Sequence, residues 1–373
     1  MNYSSAQTAK TLQEYEKRLE SEKKKIIDAQ APDPRASTHL YAQDIRPILA
    51  AQKQSDVLVI VGIGGSNLGV QAIERYLYNE KTIYYADTID PRDIHRLLGQ
   101  LQKEYERKNK VELIIISKSG TTTETSVNYE LLKNQQQTYQ EPLITTITEK
   151  NTPLYTKESL IIPAHVGGRY SVFSPVGLYP LAQLGINIQH LLAGAKQATQ
   201  INDAVHVAAD IHATNKPVLN LFFFDKESFY LGQWVRQLIA ESLGKNAQGM
   251  LPTISIGTTD LHSIAQRALD GPDDTHTIFV RVNTKHTQQV MQPYEIDTNS
   301  LYKTIYEATQ EAYTTHNRTY STIELEPTEE SVGAFMQTWM NATMYLAALL
   351  EINAFDQPAV ETYKQATKKR LLY

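Results

Sequence analysis

Two glycines and an arginine open the chemical case. In Val166-Gly167-Gly168-Arg169-Tyr170-Ser171-Val172-Phe173-Ser174-Pro175 the glycines remove side-chain bulk, so backbone can approach a ligand closely. Arg169 follows, permanently charged and forked, which suits an oxyanion. Read alone, the segment is a turn with a surface arginine. Farther on, Gln233, Gln237 and Glu241 are spaced by four, and a helix would hold them on one face. Such a stripe is either solvated or a carboxylate base oriented by amides at a pocket; Trp234, Val235 and Leu238 fall elsewhere and can pack. His262, in Gly257-Thr258-Thr259-Asp260-Leu261-His262-Ser263, is a proton carrier or a structural histidine. Lys364, in Gln357-Pro358-Ala359-Val360-Glu361-Thr362-Tyr363-Lys364, is a second proton carrier or one cation of a solvated amphipathic helix.

Two glycine- or hydroxyl-rich turns precede these residues. Gly62-Ile63-Gly64-Gly65-Ser66-Asn67-Leu68-Gly69 lies where free N–H groups and the positive end of a helix dipole suit an anion. No Gly-Lys-Ser/Thr ends it, and Asn67 occupies the third glycine position of a dinucleotide fingerprint. Asp87 keeps a nicotinamide-cofactor reading open, and a tight strand-to-helix turn is the plain structural one. Ser117-Lys118-Ser119-Gly120-Thr121-Thr122-Thr123-Glu124-Thr125 packs six hydroxyls and a lysine into nine residues. A helix cap needs one hydroxyl; six can surround the oxygens of a phosphate.

The elements that must hold these groups alternate. Val57–Val61, Thr82–Ala86, Val111–Ser117 and Leu143–Thr148 read as strands, with helices over Gly69–Leu77, Pro91–Lys108 and Thr123–Gln136 between them. Continuous β-branched runs separated by helices predict a parallel sheet with both faces covered. The rhythm restarts with strands at Pro217–Phe224, Thr277–Val282 and Thr322–Leu325, and helices at Phe229–Leu243 and Val332–Glu351. Residues 175–210 bridge the halves, and a polar helix over 8–30 ends at Ala31-Pro32-Asp33-Pro34. The expectation is an α/β protein of two domains, each a parallel sheet flanked by helices in three αβα layers, with terminal helices.

Composition narrows the function classes. The 373 residues carry a formal net charge of -5, which gives no general attraction to nucleic acid. Lys23-Lys24-Lys25 and Lys368-Lys369-Arg370 read as solvated helix faces. There is no cysteine, which excludes disulfides and a thiolate nucleophile or ligand. No apolar run reaches the roughly 18 residues of a membrane span, and the polar first 25 residues are no signal peptide, so a cytoplasmic protein is expected. No metal-ligand spacing stands out, and Asp273-Asp274 beside Gly271-Pro272 reads as a turn. Together the motifs point to an enzyme acting on a phosphorylated sugar.

In their order along the chain, over residues 56–370, these motifs resemble the glucose-6-phosphate isomerase family, which is built from two sugar-isomerase (SIS) domains. The likeness lies in Gly62–Gly69, Ser117–Glu124, Gly167–Pro180 and Gln237–Lys245. It implies an N-terminal helical extension over 1–36, SIS domains over 37–185 and 186–356, and a C-terminal helix over 357–373. It implies that Ser117, Ser119, Thr121 and Thr122 bind phosphate with Lys118 nearby, and that Gly65 and Ser66 line the sugar. By the same likeness Glu241 is the base, Arg169 the enediolate stabiliser, Gln237 and Gln357 pocket amides, and His262 with Lys364 the ring-opening pair. No metal or organic cofactor is implied. A homodimer with shared sites is, the histidine coming from the neighbouring chain. Thr259 and Leu261 stand where the family commonly has Asn and Gln, and the chain is shorter than most members, so reduced dimer arms are expected. The readings left open are a bifunctional glucose/mannose 6-phosphate isomerase, a sugar-phosphate sensor that binds without reacting, and a cofactor-dependent oxidoreductase.

Overall fold

The computed structural model describes residues 1–283, 290–291 and 295–371; residues 372–373, the end of the expected C-terminal helix, lie outside that set. The first half runs β1 (Asn2–Ser4), α1 (Ala9–Ile27), α2 (Arg46–Ala50), β2 (Val57–Val61), α3 (Leu68–Tyr76), β3 (Thr82–Ala86), α4 (Pro91–Glu106), β4 (Val111–Ile116), α5 (Thr123–Tyr139), β5 (Leu143–Thr148) and β6 (Leu160–Ile161). The chain continues through α6 (Pro175–Gln183), α7 (Ile188–Ala198), α8 (Asp203–Thr214), β7 (Val218–Phe223), α9 (Phe229–Leu243), β8 (Leu251–Ile256), α10 (Ala265–Asp270) and β9 (Thr275–Val282). A short hairpin of β10 (Val290–Met291) and β11 (Ile296–Asp297) leads to α11 (Thr298–Thr315), β12 (Tyr320–Leu325), α12 (Glu329–Leu349) and α13 (Glu361–Leu371).

Two five-stranded sheets form. The first, ordered β3-β2-β4-β5-β6, is parallel throughout. The second is ordered β1-β12-β9-β7-β8; it is parallel from β12 to β8, and β1 adds an antiparallel edge. The segment expected to be a helical extension thus also supplies a strand to the far sheet. Buried Asp210 of α8 ties it there, accepting hydrogen bonds from the Tyr3 hydroxyl, Ser5 Oγ at 2.6 Å and Ser321 Oγ at 2.5 Å.

Alternation along the strands divides the core. Val57, Val59 and Val61 face α4 with Leu97 and Leu101, whereas Leu58 and Ile60 join a central cluster. In β7, Phe222 packs on the outer side with Tyr306 and Tyr313 of α11, and Leu219, Leu221 and Phe223 point inward. The central cluster is continuous across both sheets and includes Phe335, Trp339 and Met340 of α12, a helix buried along nearly its whole length. The two sheets therefore cannot slide past one another without opening a common core. No helix among the described residues is long and apolar enough to cross a membrane.

Candidate active site

The first sheet reverses its winding between neighbouring β2 and β4, since β3 lies outside β2 and β5 outside β4. Ligands of open α/β sheets bind beyond the strand C-termini at such a point. Here those ends open into the Gly62–Gly69 turn and the Ser117–Thr122 loop. Ser117 Oγ and Thr122 Oγ1 lie 3.1 Å apart, and Ser119 Oγ accepts from Thr121 N at 3.2 Å and Thr121 Oγ1 at 3.0 Å. Thr122 is the residue before α5, yet its side chain does not cap that helix. The first N–H groups of α5 are left facing the loop beside these hydroxyls, an arrangement that binds anions. Lys118 is turned aside: its ammonium donates to the Ala164 carbonyl at 2.8 Å and pairs with Glu149 at 3.4 Å.

The glycine turn is shaped by close approach. A Cβ on Gly65 would stand 2.3 Å from the Gly168 carbonyl carbon and oxygen, so only glycine lets the two turns touch. Gly64 has φ of +62°, and a Cβ there would meet Gln237 Nε2 at 3.0 Å. Ser66 is half-buried with no hydrogen-bond partner for its hydroxyl among the described residues.

Helix α9 supplies the carboxylate. Gln233, Gln237 and Glu241 are half-buried while Trp234, Val235 and Leu238 are buried, so the stripe faces the crevice and neither bulk solvent nor core. Gln237 Nε2 donates to Glu241 Oε1 at 3.2 Å, and Gln237 Oε1 is buried with no partner in the protein. Arg169 is 4% exposed and fully engaged. Its Nε donates to Ser242 Oγ at 2.8 Å; Nη1 reaches Glu241 Oε2 at 3.3 Å and Gln357 Oε1 at 2.6 Å. Nη2 takes the Ala354 and Asp356 carbonyls at 2.6 and 3.1 Å. Arg169, the Gln237/Glu241 pair of α9 and Gln357, three places far apart in sequence, thus form one hydrogen-bonded set beside the glycine turn.

Lys364 reaches the edge of this set. Its Nζ pairs with Glu361 at 2.8 Å, and its pKa is raised by that hydrogen bond first, with the Glu241 charge also contributing. His262 is not brought in. It ends the turn Thr259–His262 after β8, exposed and without a side-chain partner among the described residues. Asp260 fixes that turn by accepting from Ile256 N at 2.7 Å and Ser263 Oγ at 3.0 Å. Leu261 packs against the aromatic cluster of Phe222 and Phe279. Ser242 lies in the Gln237–Lys245 motif, but its bond to Arg169 was not foreseeable from sequence, and neither were the Ala354 and Asp356 carbonyls, since backbone oxygens carry no sequence signal.

A cavity of about 530 Å3 lies on the far side of the 353–355 turn, lined by Glu22, Asp33, Arg35 and Phe355 among others. Arg35 is already bound by Asp33 and Glu22 there, so the convergent groups, and not the volume, locate the site.

Comparison with known proteins identifies the family. The phosphoglucose isomerase family profile matches residues 48–245, which hold both crevice loops, Arg169 and Glu241. The chain belongs to that family. A "Probable glucose-6-phosphate isomerase" of Methanococcus maripaludis is 32% identical over 349 residues, covering 84% of this chain and 78% of that one. The crystal structure of a hypothetical protein from Thermus thermophilus superposes with a TM-score of 0.89 at 28% identity, covering 97% of this chain and 96% of that one. A glucose-6-phosphate isomerase from Chlamydia trachomatis shares the fold, with a TM-score of 0.84 at 18% identity over 96% of this chain and 85% of that one.

Proposed function

We propose that this chain interconverts glucose 6-phosphate and fructose 6-phosphate by moving one proton between C2 and C1, with Glu241 as the single base. The observation that carries the residue assignment is the Arg169 guanidinium. It lies 3.3 Å from Glu241 Oε2 and 2.6 Å from Gln357 Oε1, across the glycine turn from the phosphate-type loop. Ser117, Ser119, Thr121, Thr122 and the α5 N-terminus hold the phosphate, Lys118 adds positive charge nearby, and Gly65 and Ser66 line the sugar. Glu241 takes the C2 proton and returns it to C1 through a cis-enediol, while the hydroxyl proton of O2 passes to O1 as the carbonyl moves from C1 to C2. Negative charge grows on oxygen during that transfer, and a preorganised donor stabilises it in the transition state; Arg169 fills this role, with Gln237 and Gln357 steering the hydroxyls. Lys364 and a histidine assist ring opening. These steps use only side chains and need no metal or organic cofactor.

His262 stands outside its own chain's site, and that favours a homodimer in which each site takes the partner subunit's His262. Two inactive proteins, Glu241→Gln and His262→Ala, test this by subunit exchange. With shared sites, the mixed dimer contains one site with intact Glu241 and intact His262, and activity reappears. Silence after verified exchange rejects the sharing and leaves the isomerase intact. The reaction itself is tested by a coupled assay on fructose 6-phosphate after exhaustive chelation, with mannose 6-phosphate in parallel. Activity restored only by a divalent ion rejects the cofactor-free chemistry, and turnover of mannose 6-phosphate establishes the bifunctional reading. We place the enzyme in the cytoplasm, with no nucleic-acid or membrane partner.

A further inference from the structure

The turn at residues 353–356 is gripped from two sides. On one side Arg169 Nη2 takes the carbonyls of Ala354 and Asp356, while Nη1 takes the Gln357 side chain just beyond. On the other side Lys245, two residues past the end of α9, donates to the Asn353 carbonyl and to Asp356 Oδ1, the latter at 2.7 Å. Asn353 closes the turn internally: its Nδ2 donates to Asp356 Oδ2 at 3.1 Å, and its Oδ1 accepts from Phe355 N at 3.0 Å. The Lys245 side chain is only 10% exposed, so its ammonium has little water to fall back on.

The connection matters because of what each end carries. Lys245 lies four residues, or about one helical turn, after Glu241. The 353–357 segment supplies three of the acceptors that orient Arg169: two carbonyls and the Gln357 amide oxygen. It then leads into α13, which has no buried residue of its own to anchor it. Without Lys245, the polar tether of this turn to the rest of the protein reduces to Arg169, the very group the turn must orient, and only the packing of Ala354 in the core and of Phe355 on Tyr170 is left to hold it. A displacement near 1 Å of a positioning element can cost roughly 10²-fold in rate.

We infer that Lys245 and Asp356 are positioning residues of the isomerisation: their ion pair fastens the 353–356 turn to the end of the base's helix and so fixes Arg169 and Gln357 opposite Glu241. The inference rests on the roles proposed above for Glu241 and Arg169. The salt bridge itself is half exposed, and Asp356 is held below the usual carboxylate range chiefly by its hydrogen bond to Lys245. Its contribution to global stability is therefore modest, and its effect is read in geometry.

The test compares Lys245→Met, Lys245→Arg, Asp356→Asn and the double variant Lys245→Met/Asp356→Asn on fructose 6-phosphate. Competitive inhibition by inorganic phosphate is measured alongside. Lys245→Met is expected to lower kcat about 10- to 100-fold, with the phosphate inhibition constant unchanged, because no hydrogen bond or ion pair joins the Ser117–Thr122 loop to this turn. Lys245→Arg, which keeps a cationic donor, recovers a large part of kcat. The loss in the double variant falls short of the product of the two single losses, since the Lys245–Asp356 pair cannot be broken twice, although Asp356→Asn also disturbs its bond to Asn353. A kcat within twofold of the parent in Lys245→Met overturns the inference. So does a phosphate constant that worsens in step with kcat, or multiplicative losses in the double variant. Should Lys245→Met fail to fold, Asp356→Asn at the half-exposed partner decides: a several-fold loss of kcat with phosphate inhibition unchanged supports the role, and parental kcat rejects it. Glu241→Gln is run in the same series. If it stays active, the assignment of the base has failed, whatever the Lys245 variants do.

Discussion

The first sheet reverses its winding between β2 and β4, and the second between β7 and β9. The same topological place carries opposite chemistry in the two. In the first, the loops present Ser117, Ser119, Thr121, Thr122 and an uncapped helix N-terminus. In the second, the loop after β7 carries two carboxylates around one lysine, Asp225-Lys226-Glu227. Asp225 spends itself on Ser228, accepting from its N at 3.2 Å and its Oγ at 2.7 Å, and Glu227 follows. Asn283, just past β9, donates to Glu326 Oε1 at 2.9 Å. A phosphate would meet clustered hydroxyls and an uncapped helix N-terminus at the first reversal, but at the second two carboxylates beside the single exposed Lys226. The second half contributes differently: α9 starts at its acidic turn and, 15 residues long, runs about 22 Å to bring Gln237 and Glu241 to the first crevice. Repeating a fold has not repeated a site; in the proposed function one sheet cradles the anion and the other delivers the base.

The largest effect that can break this division is at the delivered base. Glu241→Gln keeps the shape and removes the proton acceptor, so kcat should fall by ~10²–10⁴-fold. Solvent deuterium incorporation into the sugar should fall with it. Near-parental turnover would mean the second half supplies no base.

The seam between the halves carries its own charge. Glu74, at the last turn of α3, is 3% exposed; burial lifts its carboxyl to about 6, Glu227 across the seam adds to the rise, and Arg75 and Tyr85 partly offset it. The folded protein holds this proton more tightly than the unfolded chain does. Its stabilising contribution is full below pH 4.5 and is lost as pH rises through 6. Glu74→Gln should therefore stabilise the protein by about 2 kcal/mol at pH 8 and by almost nothing at pH 4. Thermal melts at both values check it, and an equal gain at both would show that the acidic seam is not the cause.

At the cradle, Thr122→Val removes a hydroxyl and should raise KM for fructose 6-phosphate about tenfold, the value of one hydrogen bond to a charged group, with kcat changed less. If phosphosugar binds as tightly as in the parent, the first reversal is not the phosphate site. The matched change at the second reversal is smaller and of another kind. Asp225→Ala should leave KM unchanged and cost about 1 kcal/mol of stability through the lost turn cap. A KM effect there would mean that both reversals bind substrate.

Several parts of this arrangement can be read from local patterns. Val57–Val61, Thr82–Ala86, Leu143–Thr148 and Phe229–Leu243 have the bounds expected of them, because continuous β-branched runs and a 3.6-residue period are local signals. Strand β8 is masked in the sequence: Leu251-Pro252-Thr253-Ile254-Ser255-Ile256 alternates with hydroxyls and contains a proline, which an edge strand tolerates. Helices α7, α8 and α11 fall where the sequence pattern marks no element. Strand β1 is three residues long, and its partner Thr322–Glu324 lies at the other end of the chain, so no window of sequence could join them.

By itself, the sequence determined the chemistry on offer: a hydroxyl-rich turn, a glycine turn, a Gln-Gln-Glu stripe and one arginine after paired glycines, each a local pattern set by backbone freedom or helical period. Only the tertiary structure decided which of these meet. Close contact of Gly65 with Gly168 brings the arginine's turn to the crevice, and α9 crosses from one sheet to the other with Glu241 at its end. The carbonyls of Ala354 and Asp356 aim the guanidinium. Backbone oxygens are the same in every residue and long-range packing has no period, so neither leaves a mark in a string of letters.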